Sequence, residues 1–291
     1  MLNRKFSPSK SRTNHSRDVV LHANKDMSSP KILMFHRVKL TNKQRINNRY
    51  FQRKMVIEIE YLFDLIDSYL DKGLKAGNVE ECIKDNKYFH LSFDDGFKEH
   101  LKVAYLLKEK YNFDYNSISF SINVANLINR YFTGMDLVYC ILENNLIEKL
   151  NHFFETDFNT KNIPEIKKHI ANLKPEQLKQ LSNYFTELHE QLKNTFLNKS
   201  EIIKLSKIFK ITSHGITHRF LTSHKNESKK EILQSKLILQ NITNQNIDTF
   251  CYPEGKNDKE LQNYCKNAGY KYALSIRHEE NNKFCVGRKI M

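Results

Sequence analysis

Apolar positions recur along this chain with two periods, one of strands and one of helices, and their alternation predicts the fold. Residues 31–35 are a short apolar run that reads as a buried strand ending in His36-Arg37. Over 51–70, Phe51, Met55, Ile59, Leu62 and Ile66 fall at helical spacing, with Gly73 as the stop. A β-favouring run over 88–93 enters Asp94-Asp95-Gly96, and Phe97, Leu101, Ala104 and Leu107 then predict a helix over 97–111. Residues 117–124 alternate strictly, with Ile118, Phe120, Ile122 and Val124 on one face and serines or Asn123 on the other, which predicts a strand. Further on, helices are predicted over 200–209, 229–242 and 258–268, and strands over 208–212, 247–252, 270–276 and 284–290.

Strand and helix alternating in this way argue for parallel βα units closed into a barrel or laid out as an open sheet. Between them, 136–198 carries long amphipathic runs broken at Pro164 and Pro175, a helical insertion read as scaffold or lid. Residues 1–30 are rich in Ser, Lys, Asn and Arg without apolar periodicity, and are expected to form a flexible polar tail before one domain over 31–291.

Composition narrows the picture only a little. With 40% hydrophobic and 11% aromatic residues among 291, the chain has the means to fold around a core. Its 47 Lys and Arg against 33 Asp and Glu give a net charge of +14, which favours anionic partners. That charge is spread out, with no basic block, so a nucleic-acid binder has no motif to rest on. The basic start lacks an apolar signal core and no stretch is long enough to span a bilayer, so a cytoplasmic protein is expected, with peripheral membrane contact left open. Cys82, Cys140, Cys251, Cys265 and Cys285 show no CxxC spacing and are expected to be reduced thiols.

Three stretches carry chemistry. Asp94 and Asp95 stand at the C-terminal end of a predicted strand, where α/β folds place their sites, although Asp-Asp-Gly is also common turn chemistry. Successive strand residues point opposite ways, so one carboxylate could face a metal and the other water or substrate. The second stretch is Ile211-Thr212-Ser213-His214-Gly215-Ile216-Thr217-His218, in which two histidines four apart suit one face of a helical turn and one metal ion. Two imidazoles and one carboxylate leave metal positions open, and a second carboxylate beside them suits the hydrolysis of an amide or ester. In Phe250-Cys251-Tyr252-Pro253-Glu254-Gly255, the third, Pro253 and Gly255 set a tight turn whose N–H groups could face an oxyanion.

In this order, Ser92-Phe93-Asp94-Asp95-Gly96, Ser213-His214-Gly215-Ile216-Thr217-His218 and Phe250-Cys251-Tyr252-Pro253-Glu254-Gly255 resemble the polysaccharide deacetylase family, the chitooligosaccharide-deacetylase-like carbohydrate esterases. Leu33-Met34-Phe35-His36-Arg37-Val38 looks like the first strand of one bacterial branch, so the resemblance runs from about Lys31 to the C-terminus. It implies a distorted (β/α) barrel of about seven strands with a divalent metal at its C-terminal face. By matching positions it implies Asp94 as general base and Asp95, His214 and His218 as metal ligands, with zinc first and cobalt, nickel or manganese compatible. It also implies an oxyanion contact at the backbone N–H of Glu254 and a substrate contact at Tyr252. Asp136 falls where the branch often carries an acidic residue beside the substrate groove.

The chain departs from the pattern in two places. Many members have an arginine where this chain has Cys251, and there it orients the catalytic aspartate; Arg288 is the substitute expected here. The usual late Leu-x-x-His is missing, and His278 lies in a polar stretch. His36 is therefore expected as general acid, as an N-terminal histidine is in the resembling branch. The expected function is a metal-dependent hydrolase removing an N-acetyl or similar small acyl group from an amino sugar or glycan intermediate. The alternative is a catalytically degenerate glycan-binding or assembly protein of the same fold.

Overall fold

The structure, a computed structural model, describes residues 30–128 and 134–291. The tail expected over 1–30 thus lies, but for Pro30, outside the described residues. Eleven strands are found among them: β1 (Ile32–Phe35), β2 (Arg37–Lys39), β3 (Val56–Glu58), β4 (Lys75–Ala76), β5 (Tyr88–Phe93), β6 (Ile118–Ile122), β7 (Lys210–Ser213), β8 (Thr249–Cys251), β9 (Tyr272–Ser275), β10 (Val286–Gly287) and β11 (Lys289–Ile290). The main sheet runs β10-β9-β8-β7-β6-β5-β1-β11 with β4 beside β5, and its pairs are parallel.

Its two ends are one piece of chain. β10 pairs with β9, β11 pairs with β1, and only Arg288 separates them. Eight strands, where about seven were expected, are thereby curled almost shut into the (β/α) barrel, and the seam falls at Arg288.

All five residues of β6 are buried, serines included, so its alternation does not divide core from solvent. Phe35, Phe93 and Phe120 form a stacked row with centroids 5.1 and 4.9 Å apart, and His100 of the helix His100–Tyr111 packs on Phe93 and Phe120. The opposite face carries small polar groups: Ser121 donates to Cys251 Sγ at 3.0 Å, Thr212 to Ser121 at 3.0 Å, and Ser92 meets Arg288. Burial on both faces is what a parallel sheet wrapped in helices requires. Small residues inside leave room for a guanidinium at the seam.

His90, also fully buried, bonds Gly77 O at 3.0 Å and Ser119 Oγ at 2.8 Å. Burial, offset in part by the Gly77 carbonyl, pushes its imidazole down to about 4. The unfolded chain takes up a proton near 6.5 that the folded protein refuses, so stability is intact above that pH and declines as pH falls towards 4. Urea unfolding should show a loss of about 3 kcal/mol across this window from His90, and His90→Gln should flatten the slope by that share.

The helix expected over 51–70 is broken. Asn48–Gln52 is helical, Lys54 turns left-handed at φ 55°, and β3 pairs with β2 before the helix Ile59–Asp71 begins. The helical spacing of Met55, Ile59 and Ile66 runs across this break without registering it. The helix expected from Phe97 starts at His100, and Phe97 instead bridges to Phe196 and stacks on it at 5.3 Å.

Between β6 and β7 lie helices Gly134–Glu143, Ile147–Phe154, Ile163–Ala171, Pro175–Tyr184, His189–Lys193 and Lys199–Ser206. Their apolar sides, among them Leu137, Ile141, Ile166, Ile170, Leu181 and Leu192, join the core that also fills the space around the barrel.

Candidate active site

At the end of β5 the Asp94 amide still donates to Phe35 O at 2.9 Å, extending the pairing with β1 by one residue. Asp95 and Gly96 then both take positive φ, 76° and 75°. A Cβ on Gly96 would stand 3.1 Å from Ile122 Cδ1 in a conformation that already disfavours one, so glycine is needed there. The left-handed turn at Asp95 cancels the strand alternation, and both carboxylates face the same cavity.

His214 continues β7, its amide donating to Ile122 O at 3.0 Å. Beyond it the chain is not helical, which corrects the expected helical turn: Gly215 has φ 81° and His218 φ 52°. The two rings meet, centroids 4.9 Å apart, because this loop folds back over Glu231. Glu231 stands on the helix Lys225–Thr243 and is buried. Its Oε2 accepts from the amides of Ile216 and Thr217 at 3.2 and 3.1 Å, and its Oε1 from Thr217 Oγ1 and Arg219 Nε, both at 2.7 Å. Nothing short and contiguous in the sequence marks Glu231 or Arg219 as part of the site.

The donor atoms converge. His214 Nε2 and His218 Nε2 lie 3.4 and 3.2 Å from Asp95 Oδ1, and the three ligand atoms are all within 4.8 Å of one another. His214 Nδ1–H donates to Cys251 O at 2.8 Å, so its Nε2 lone pair is turned to the shared point. Asp95 Oδ1 is buried yet has no hydrogen bond of its own. Three donors aimed at one point instead of at one another, with two imidazoles and a carboxylate among them, fit a divalent metal ion. Burial opposes charge on His218 but Asp95 outweighs it, raising the imidazole to about 9, while His218 and His214 hold Asp95 well below the usual carboxylate range against burial.

Arg288 reaches in from the barrel seam. Its Nη1 donates to Asp94 Oδ1 at 2.7 Å and to Ser92 Oγ at 3.0 Å, with both ends of the ion pair buried. Burial alone would raise Asp94; Arg288, helped by His214, holds it below its usual range. With Oδ1 tied down, Oδ2 is left 3.9 Å from His214 Nε2. The Cys251 thiol, in the position where an arginine was expected to orient this aspartate, sits inside the barrel against Ser121.

His36 lines the same cavity, and its carbonyl accepts from His100 Nε2 at 2.6 Å. Burial lowers its pKa, with Asp95 and Asp94 opposing. His278 is elsewhere, at a second cavity beside Pro30 and Asn282.

Glu254 has φ 56° in the turn Pro253–Gly255, and its carboxylate meets Lys167 at 2.5 Å on the cavity wall. Tyr252 corrects the expected substrate contact. Its ring is fully buried against Phe250, its hydroxyl donates to Phe284 O at 3.1 Å, and it does not line the cavity. Tyr252→Phe should cost about 1 kcal/mol of stability in urea unfolding, the worth of one hydrogen bond, and leave turnover unchanged.

The helical stretch, read from sequence as scaffold or lid, supplies one wall of this cavity of about 180 Å3: Met135, Asp136, Tyr139 and Lys167. Asp136 accepts from Tyr50 OH at 2.5 Å. These contacts span 86 and 87 residues of sequence. No local spacing could have shown them.

Residues 189–273 match the family model for polysaccharide deacetylases, a span that holds His214, His218 and the 250–255 turn but not Asp94 or Asp95. Over that span the chain is similar to the polysaccharide deacetylase family. Solved structures reproduce the fold at low sequence identity. The Streptococcus pyogenes deacetylase PplD in complex with acetate superposes with a TM-score of 0.56 at 14% identity, over 90% of this chain and 92% of that one. A polysaccharide deacetylase from Bacillus cereus gives 0.55 at 18%, over 89% of this chain but 63% of its own length. A de-N-acetylase from Aggregatibacter actinomycetemcomitans gives 0.53 at 15%, over 88% and 92%. No curated protein has a significant sequence match to the chain. In this chain the aspartate pair outside the matched span and the histidines inside it share one cavity.

Proposed function

We propose that this protein hydrolyses the amide of an N-acetylated amino sugar or glycan intermediate, releasing acetate and a free amine. One observation carries the reading: a His-His-Asp ligand set and a second carboxylate held by arginine meet in one cavity. A complete ligand set beside an ionised carboxylate favours an enzyme over a binding protein of the same fold.

Asp95, His214 and His218 would hold the divalent ion, zinc first, with cobalt, nickel and manganese suited to the same donors. When bound, such an ion supplies Lewis-acid polarisation of the substrate carbonyl and acidifies water. Asp94 takes the proton of the attacking water at Oδ2, while Arg288 keeps the carboxylate charged and fixed at Oδ1. The backbone N–H of Glu254, in a turn on the cavity wall, would stabilise the developing oxyanion. His36 passes a proton to the departing amine. Burial lowers the pKa of His36, which eases release of a proton to the amine, and the proton that Asp94 takes from water would replace it across the shared cavity.

Among the described residues no helix is long and apolar enough to cross a membrane. A cytoplasmic precursor, such as a nucleotide- or lipid-linked sugar, is the substrate setting we propose. Screening purified protein for acetate and formate release across acylated amino sugars, with metal content measured on the same sample, tests the reading. Acetate release by metal-containing protein supports it; a metal-loaded protein that deacylates none of them contradicts it.

A further inference from the structure

The cavity wall carries more positive charge than the chemistry uses. Arg288 is paired with Asp94 and Lys167 with Glu254. Of the remaining carboxylates on the wall, Asp95 faces the two histidines and Asp136 accepts from Tyr50. Arg53 and Lys54 line the cavity too, and neither side chain has an ion pair or hydrogen bond among the described residues.

The backbone determines where these two cations stand. As the helix Asn48–Gln52 ends, the amides of Arg53, Lys54 and Met55 donate to the carbonyls of Arg49, Phe51 and Tyr50 at 3.1, 2.9 and 3.0 Å. Lys54 is held left-handed within this turn, and β3 anchors its far side against β2. Arg53 is half-buried, and its charge acts on the Tyr139 hydroxyl, which places it against the wall formed by the helix Gly134–Glu143. A guanidinium there without a carboxylate keeps its planar fork of N–H donors free, a geometry that matches phosphate or carboxylate oxygens two at a time. On the same rim Ile276 and Ile290 are 44% and 58% exposed, offering an apolar surface to the C–H face of a sugar.

We propose that Arg53, with Lys54 beside it, forms an anion subsite, so that the substrate is an N-acetylated amino sugar bearing a phosphate or carboxylate close to the ring that is deacetylated. The inference rests on the deacetylase reading and adds the charge class of the substrate to it.

Acetate release from N-acetylglucosamine 1-phosphate, N-acetylmuramic acid and neutral diacetylchitobiose, in wild type and in R53Q/K54Q, provides the test. Wild type should favour an anionic sugar in kcat/KM by about tenfold, the scale of a charge-assisted hydrogen bond, and the double variant should bring that ratio close to one. Which anionic sugar is preferred distinguishes phosphate from carboxylate. Equal rates on neutral and anionic sugars, or a preference that survives R53Q/K54Q, would overturn the subsite while leaving the deacetylase reading intact. Calorimetric binding of glucosamine 1-phosphate serves as a readout independent of turnover. Affinity that falls about tenfold in R53Q/K54Q supports the subsite even if no substrate releases acetate, whereas unchanged affinity places the anion elsewhere and overturns it.

Discussion

Replacing Asp94 with asparagine should lower acetate release roughly a thousandfold, within the range for removal of a general base, while the metal content per chain stays that of wild type. Asparagine keeps the shape of the side chain and a carbonyl oxygen for Arg288 Nη1, now 2.7 Å from Asp94 Oδ1. What it loses is the capacity to take a proton from water. Asp94 is not one of the three converging ligand atoms, so those remain in place. Asp95→Asn should behave in the opposite way, losing the metal and, with it, activity. Acetate assays and metal analysis on the same two preparations separate these roles. An Asp94→Asn protein with wild-type turnover would remove Asp94 from the mechanism.

Arg288→Met should destabilise the fold by about 3–5 kcal/mol, the cost of leaving one partner of a buried ion pair alone, and abolish turnover as well. Two consequences meet in this residue. Asp94 would keep its burial but lose the cation that holds it ionised. The seam between β10 and β11 would lose the side chain that ties it to β5 through Ser92 and Asp94. Arg288→Lys preserves the charge but on a shorter, more flexible stem, and should recover more stability than turnover, because the ammonium is not held as firmly where Nη1 now donates to both Ser92 and Asp94. Urea unfolding and acetate release measured on both variants check the pair of effects.

Much of this arrangement could be read from the sequence because the relevant residues are adjacent or nearly so. Asp94-Asp95 and His214-His218 are short motifs at the ends of strands whose apolar runs are plain, and parallel strands bring such ends to one face. The alternation of strand and helix left a barrel or an open sheet, and the family resemblance chose the barrel. What escaped depends on contacts between distant residues. Lys54 breaks a periodicity that continues across it, and so Arg53 and Lys54 read as part of a helix, not as a rim. Tyr139 and Lys167 are ordinary amphipathic-helix residues until Glu254 comes to meet Lys167, whereas Asp136 was set beside the groove only by the family resemblance and is tied there by Tyr50. Tyr252 was misassigned because its neighbours belong to a motif; its ring follows the strand into the core.

Arg288 is an intermediate case. Its arrival beside Asp94 depends on the final segment splitting between two strands at opposite ends of the sheet, which no local pattern announces. Chemical need, an aspartate requiring a cation once Cys251 had replaced the usual arginine, pointed to it where periodicity could not.

Metal removal followed by reconstitution shows whether turnover depends on an ion held by Asp95, His214 and His218. Protein stripped with a chelator is assayed for acetate release on N-acetylated amino sugars, before and after addition of one equivalent of zinc. No release is expected from the stripped protein, with recovery on adding zinc and no recovery in His214→Ala. Equal acetate release with and without the metal would contradict that dependence.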